Sequence, residues 1–194
     1  MAQMRDRAIT ARGRAGKEVN EGEGKDRFES LVLPHLDAAY NFARWLTRDD
    51  HRARDVAQDS LVRALRFFDG FRGENVRPWL LSIVRNTYFS SLKALQREEL
   101  RPDLDGEIMG SALEAAYELD PSLTLERKWN RERINRALES LPLEFREILI
   151  LREMEELSYK QIADVAEIPI GTVMSRLSRA RRLLAERLAL DEDR

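Results

Sequence analysis

The chain of 194 residues contains no cysteine. Disulfides, thiolate metal sites and a cysteine nucleophile are therefore excluded. Only two histidines are present, His35 and His51, too few for a histidine-rich metal centre. Glycine and proline are sparse, at 9 and 6, which argues against a turn-rich sheet fold. No apolar run approaches the roughly 18 residues that span a bilayer, and the N-terminus lacks the apolar core of a signal peptide. The expectation is a cytoplasmic chain with no membrane insertion. No nucleophile–base pairing, glycine-rich phosphate loop or metal-ligand cluster is visible, so an enzyme and a bound cofactor are not expected. The chain also lacks a net excess of positive charge, the formal balance being −2. Any contact with nucleic acid must then arise from local segregation of charge.

What the chain does have is helix-forming sequence. Hydrophobic residues make up 43% and charged residues 35%, and the long segments are rich in Ala, Leu, Glu and Arg, which favour helix. Residues 1–24 carry Arg5, Arg7, Arg12, Arg14 and Lys17 among glycines without hydrophobic periodicity, and read as a disordered tail, the alternative being a basic arm that touches DNA. Residues 25–97 read as a first helical domain. Phe28, Leu31, Val32, Leu36, Ala39, Tyr40 and Ala43 recur at helical spacing. From His51 to Phe68, the positions Ala53, Ala57, Leu61, Ala64, Leu65 and Phe68 form one face, and Asp55, Gln58, Asp59, Val62 and Arg66 the other. Asp69-Gly70 and Arg72-Gly73-Glu74-Asn75 read as turn and loop. A helix then runs from about Arg77 to Leu95, with Pro78 in its first turn and Leu80, Ile83, Val84, Thr87, Tyr88 and Ser91 toward the core.

Residues 98–124 form an acidic linker, with Glu98, Glu99, Asp103, Asp105, Glu107, Glu114, Glu118 and Asp120 against Arg101, broken by Pro102, Gly106, Gly110 and Pro121. Charge alone does not decide between a solvated tether and a nucleic-acid mimic. Residues 125–194 read as a second helical domain: helices at about Leu125–Ser140, Leu143–Glu153, Ser158–Ala166 and from Ile170 to about Leu188. The fold class is all-α, two small helical domains joined by an acidic linker.

The last two helices carry the local charge segregation. Ser158 is suited to cap the first, Glu167-Ile168-Pro169 makes a short break, and Val173, Leu177, Ala180 and Leu184 form the inward stripe of the second. Its outward face then presents Thr172, Ser175, Ser178, Arg179 and Arg182, flanked by Arg176 and Arg181. Small hydroxyls let a helix enter the major groove, and arginines reach phosphates or guanine edges. The motif is a helix-turn-helix.

The stretch from Leu157 to Arg181, LSYKQIADVAEIPIGTVMSRLSRAR, resembles the promoter-reading segment of extracytoplasmic-function (ECF) sigma factors. The resemblance implies that Thr172, Ser175, Arg176, Ser178, Arg179 and Arg182 read a −35 element. The family usually carries Lys or Arg where Met174 stands. Upstream, DVAQDSLVRA (Asp55–Ala64) looks like the family's helix that docks on the β′ coiled-coil of RNA polymerase, which implies Asp55, Gln58 and Asp59 as polymerase-facing residues. The segment FRGENVRPWLLSIVRN (Phe71–Asn86) looks like the loop and helix that melt and read the −10 element, implying Arg72, Glu74, Asn75, Arg77, Arg85 and Asn86 in that role. An Asp common a few residues later is Ser90 here. The implied partners are core RNA polymerase, through its β′ coiled-coil and β subunit, promoter DNA and an anti-sigma factor. A stand-alone regulator would instead place a ligand pocket or dimer helix in residues 25–97, where the sequence offers an acidic face and a basic loop-helix.

Overall fold

The computed structural model describes residues 15–99 and 125–192. These form α1 (Ala15–Val32), α2 (Leu36–Thr47), α3 (Asp50–Phe67), α4 (Val76–Glu99), α5 (Leu125–Glu139), α6 (Leu143–Glu153), α7 (Tyr159–Ala166) and α8 (Ile170–Glu192). No strand occurs among the described residues. The body of the acidic linker, residues 100–124, lies outside them, as do residues 1–14.

Helix α1 corrects the expected boundary of the disordered tail. It begins at Ala15, so the last ten residues of that tail are helical. The single stripe expected from Phe28 to Ala43 is also divided. Pro34 sits inside a short 3-10 turn, Leu33–His35, which ends α1 and redirects the chain into α2. The redirection buries Phe42, Trp45 and Leu46, and Leu31 is left exposed.

Short polar devices set the boundary between α2 and α3. Arg48 takes a left-handed conformation (φ 55°) and its N–H donates to the Arg44 carbonyl at 2.8 Å. Asp49 caps α3 by accepting from the Arg52 N–H at 2.7 Å. The inward face of α3 is Ala53, Val56, Ala57, Ser60 and Ala64, and the Ser60 hydroxyl is satisfied by the Val56 carbonyl at 2.5 Å. Leu65, expected on that face, is exposed instead. One residue past Ala64 is a rotation of about 100°, which moves Leu65 beside Gln58 and Val62. An aromatic cluster closes the end of this unit. Phe68 meets Phe28 edge-on at 5.2 Å, and Phe71 packs on Trp79 at 4.9 Å. Gly73 allows this closure, since a Cβ there would stand 2.9 Å from the Phe71 ring.

The second unit is centred on α6, whose residues Arg146 to Leu151 are all buried, as expected of a helix enclosed on every side. The buried Arg146 donates to the carbonyls of Glu139 and Leu141 at 3.0 and 3.1 Å and so holds the turn after α5. Helices α7 and α8 pack over α6. The two units are not separate. Helix α4 packs on α7 and α2 on α6, and one continuous apolar cluster joins both.

Candidate nucleic-acid interface

The helix-turn-helix is built from identifiable local causes. Ser158 accepts from the Gln161 N–H while the Gln161 side chain accepts from the Ser158 N–H at 2.9 Å, a reciprocal capping box. At the far end of α7, Glu167 adopts a left-handed conformation (φ 54°), its N–H bonded to the Ala163 carbonyl. The Pro169 carbonyl then accepts from Thr172 and Val173 at 2.8 and 3.1 Å and opens α8. Val173, Leu177 and Ala180 are buried and Leu184 is partly buried, so the inward stripe falls where the sequence placed it.

The outward face of α8 is open. Ser175, Ser178, Arg179 and Arg182 are exposed, as is Met174, and Thr172 is half-buried at the helix start. Arg182 pairs along its own helix with Glu186 at 3.6 Å. The flanking arginines are held by acids of α6: Arg176 lies 3.9 Å from Glu144, and Arg181 bonds Glu153 at 2.6 Å.

The loop and helix of the first unit have a different environment. Arg72, Glu74 and Asn75 are exposed. Arg72 folds back on the carbonyl of Asp69 at 2.6 Å, and the Asn75 side chain accepts from the Arg77 N–H at 3.1 Å. The residues expected on α4 all meet the second unit. Arg77 bonds Glu155 at 2.5 Å, Arg85 bonds Glu147, and Asn86 donates to Glu167 at 3.1 Å. The Arg85 guanidinium also lies over the Phe89 ring at 4.7 Å. Burial pushes the Glu147 carboxyl above the ordinary range, against the opposing pull of Arg85 and Arg176. Burial and the neighbouring Arg77 push His35 below its ordinary value, with Glu155 acting the other way.

Of the three carboxylates, Glu147 and Glu155 were not singled out in the sequence, and Glu167 was named only as part of the break before α8. Glu147 carried a signal, since it sits in an apolar run, LEFREILIL, where an unpaired charge would be costly. On α3, Asp55, Gln58 and Asp59 are exposed together, as expected. Val62 and Leu65 extend that face with exposed apolar surface, and Phe67 is exposed near its end. A cleft of about 760 Å³ lies between the units, lined by His35, Trp45, Arg77, Ile134, Met154 and Glu155 among others. Among the described residues no cluster of His, Asp or Glu could hold a metal ion, and no helix is long and apolar enough to cross a membrane.

A helical unit ending in a helix-turn-helix, packed on one that presents a basic loop-helix, is the architecture of a DNA-binding protein. Residues 31–98 match sigma-70 region 2 and residues 131–184 match sigma-70 region 4. The chain is 33% identical over 177 residues to the RNA polymerase sigma-H factor of Pseudomonas aeruginosa, covering 89% of this chain and 91% of that one. It is 34% identical over 174 residues to the ECF RNA polymerase sigma-E factor of Escherichia coli, covering 87% and 89%. Its structure is similar to that of the sigma factor RpoE of Bartonella quintana, solved in complex with the anti-sigma factor NepR, with a TM-score of 0.68 at 32% identity over 85% of this chain and 98% of that one. The chain belongs to the ECF sigma factors: it binds core RNA polymerase and directs initiation at promoters by reading −10 and −35 elements.

Proposed function

We propose that the work is divided between the two units. The observation that carries this reading is the contrast between the open basic face of α8 and the basic loop-helix at α4. In this reading Thr172, Ser175, Ser178, Arg179 and Arg182 meet the −35 duplex, with Arg176 on its backbone. Arg72, Glu74, Asn75, Arg77, Arg85 and Asn86 meet the −10 strand as it unstacks. Asp55, Gln58 and Asp59 dock on the polymerase β′ coiled-coil, and Val62 and Leu65 supply apolar contact beside them. The protein acts in the cytoplasm, as a binding factor rather than an enzyme. An anti-sigma factor restrains it, as the RpoE–NepR pair suggests for a relative. The cleft lined by Trp45, Ile134 and Met154 offers that partner an apolar seat between the units.

Run-off transcription with core polymerase and a mapped promoter tests this division. Asp55→Ala with Gln58→Ala should weaken holoenzyme assembly with little effect on folding, since surface changes usually cost under about 0.5 kcal/mol. Unchanged affinity for core polymerase would remove the docking assignment.

A further inference from the structure

A second cavity, of about 530 Å³, opens where α4 and the α2–α3 corner of the first unit meet the α5–α6 turn of the second. Arg48, Arg52, Arg146 and Tyr88 line it, and among the described residues no Asp or Glu does. The arginines converge. Arg48 and Arg146 both donate through Nη1 to one oxygen, the Glu139 carbonyl, at 3.1 and 3.0 Å. A neutral carbonyl leaves two like charges side by side without compensation. Arg146 is 3% exposed, and its Nε has no acceptor among the described residues. A buried guanidinium N–H in that state is costly. Burial and the neighbouring Arg48 push Arg146 below its ordinary value, with Tyr88 and Glu139 acting the other way. Burial raises Tyr88, against the pull of Arg146, Arg52 and Arg48, so its hydroxyl keeps its proton and can donate.

We propose that this cavity is a binding site for a small polyphosphate anion, a nucleoside di- or triphosphate, held by Arg48, Arg52 and Arg146 with Tyr88 as a hydroxyl donor. A guanidinium fork matches two phosphate oxygens at once. Three positive charges without a lining acid call for an anion of similar multiplicity, which a pyrophosphate group carries and a single carboxylate does not. A nucleic-acid strand spreads its charge along a line, one per phosphate, whereas two of these guanidiniums share one oxygen. The volume lies within the range of small-molecule sites. Leu92 and Leu143, both half-buried, give the same cavity an apolar wall on which a base can rest. None of these residues is among those proposed above for promoter DNA or polymerase. Both units contribute, so the occupant binds only the fold in which they are packed.

Titration calorimetry of the full chain at about 0.15 M salt, with sodium pyrophosphate and with ATP, tests the site. Each should bind one to one, ATP the more tightly because of the apolar wall, and each should raise the Tm, as a ligand of the folded state does. Arg48→Gln with Arg52→Gln should weaken both ligands at least about tenfold. Arg52→Gln alone should weaken them in the same direction, and it removes no bond that Arg48 makes to the Glu139 carbonyl. Arg54→Gln with Arg63→Gln removes the same charge from exposed positions of α3 outside the cavity, and should leave both affinities within about twofold. No saturable binding of either probe, or equal weakening by the two glutamine pairs, would overturn the site. Equal affinity for pyrophosphate and ATP would overturn the nucleoside part of the proposal. Displacement of ATP by a single-stranded oligonucleotide would assign the arginines to nucleic acid and overturn the small-molecule reading.

Discussion

Arg77 and Arg85 of α4 and Arg179 and Arg182 of α8 have the same chemistry and different surroundings. On α8 the side chains of Arg179 and Arg182 project outward, Arg182 remaining 72% exposed. On α4, Arg85 is 15% and Arg77 32% exposed, each held by a carboxylate from the other unit. Of the residues proposed above for the −10 strand, Arg77 and Arg85 are partly covered by the other unit, while Arg72, Glu74, Asn75 and Asn86 are exposed.

The largest expected effect destroys the open side of this contrast. Leu177 is 2% exposed under α8, and Leu177→Ala should cost about 2–5 kcal/mol of stability through lost contacts and a cavity. A thermal melt with −35 duplex titration should show both a lower Tm and lost binding. Next come two arginines that look equivalent in sequence. Arg85→Ala leaves Glu147 buried without its partner, a cost of about 1–3 kcal/mol, and should open the chain. Arg179→Ala should leave the distance between units unchanged. It should instead reduce −35 affinity by about 1–3 kcal/mol at one or two base positions, as read on a panel of duplex variants. Uniform loss across the panel would argue for a phosphate contact instead.

A smaller effect comes with pH. Burial raises Glu147 above its ordinary value in the fold, so its contribution to stability is fully present below about 4.5 and is lost as pH rises through the raised value. The groups facing it, Arg85 and Arg176, stay charged throughout. His35 has the opposite sign: lowered in the fold, it loses stabilising effect as pH drops below 6.5. Glu147→Gln should abolish the first trend and leave the second, as read by thermal melts at a series of pH values. The smallest expected change is at Arg176, half-buried beside Glu144. Arg176→Ala should lower affinity for all duplexes alike and reduce the salt slope by about one.

Legibility in the sequence followed local chemistry. The bounds of α5 to α8 were readable because Pro142, Ser158 and Pro169 punctuate them, and the stripe Val173, Leu177, Ala180 has an unambiguous period. The turn at Pro34 was missed because the apolar residues on either side continue one helical register by coincidence. Leu65 was misassigned because an alanine-lined stripe gives weak contrast with a neighbouring leucine. The pairing of α4 with α6 and α7 was illegible, since the partners are separated by 62 to 81 residues and nothing local marks them. The exposed faces of α3 and α8 were readable because each lies within one helix.

Arginine-selective chemical modification of the isolated full chain, read residue by residue by mass spectrometry, tests the contrast between the two surfaces most directly. Arg179 and Arg182 should react several-fold faster than Arg77 and Arg85, whose guanidinium groups are held by Glu155 and Glu147. Comparable rates at all four positions would contradict the pairing of Arg77 and Arg85 with the carboxylates of the second unit.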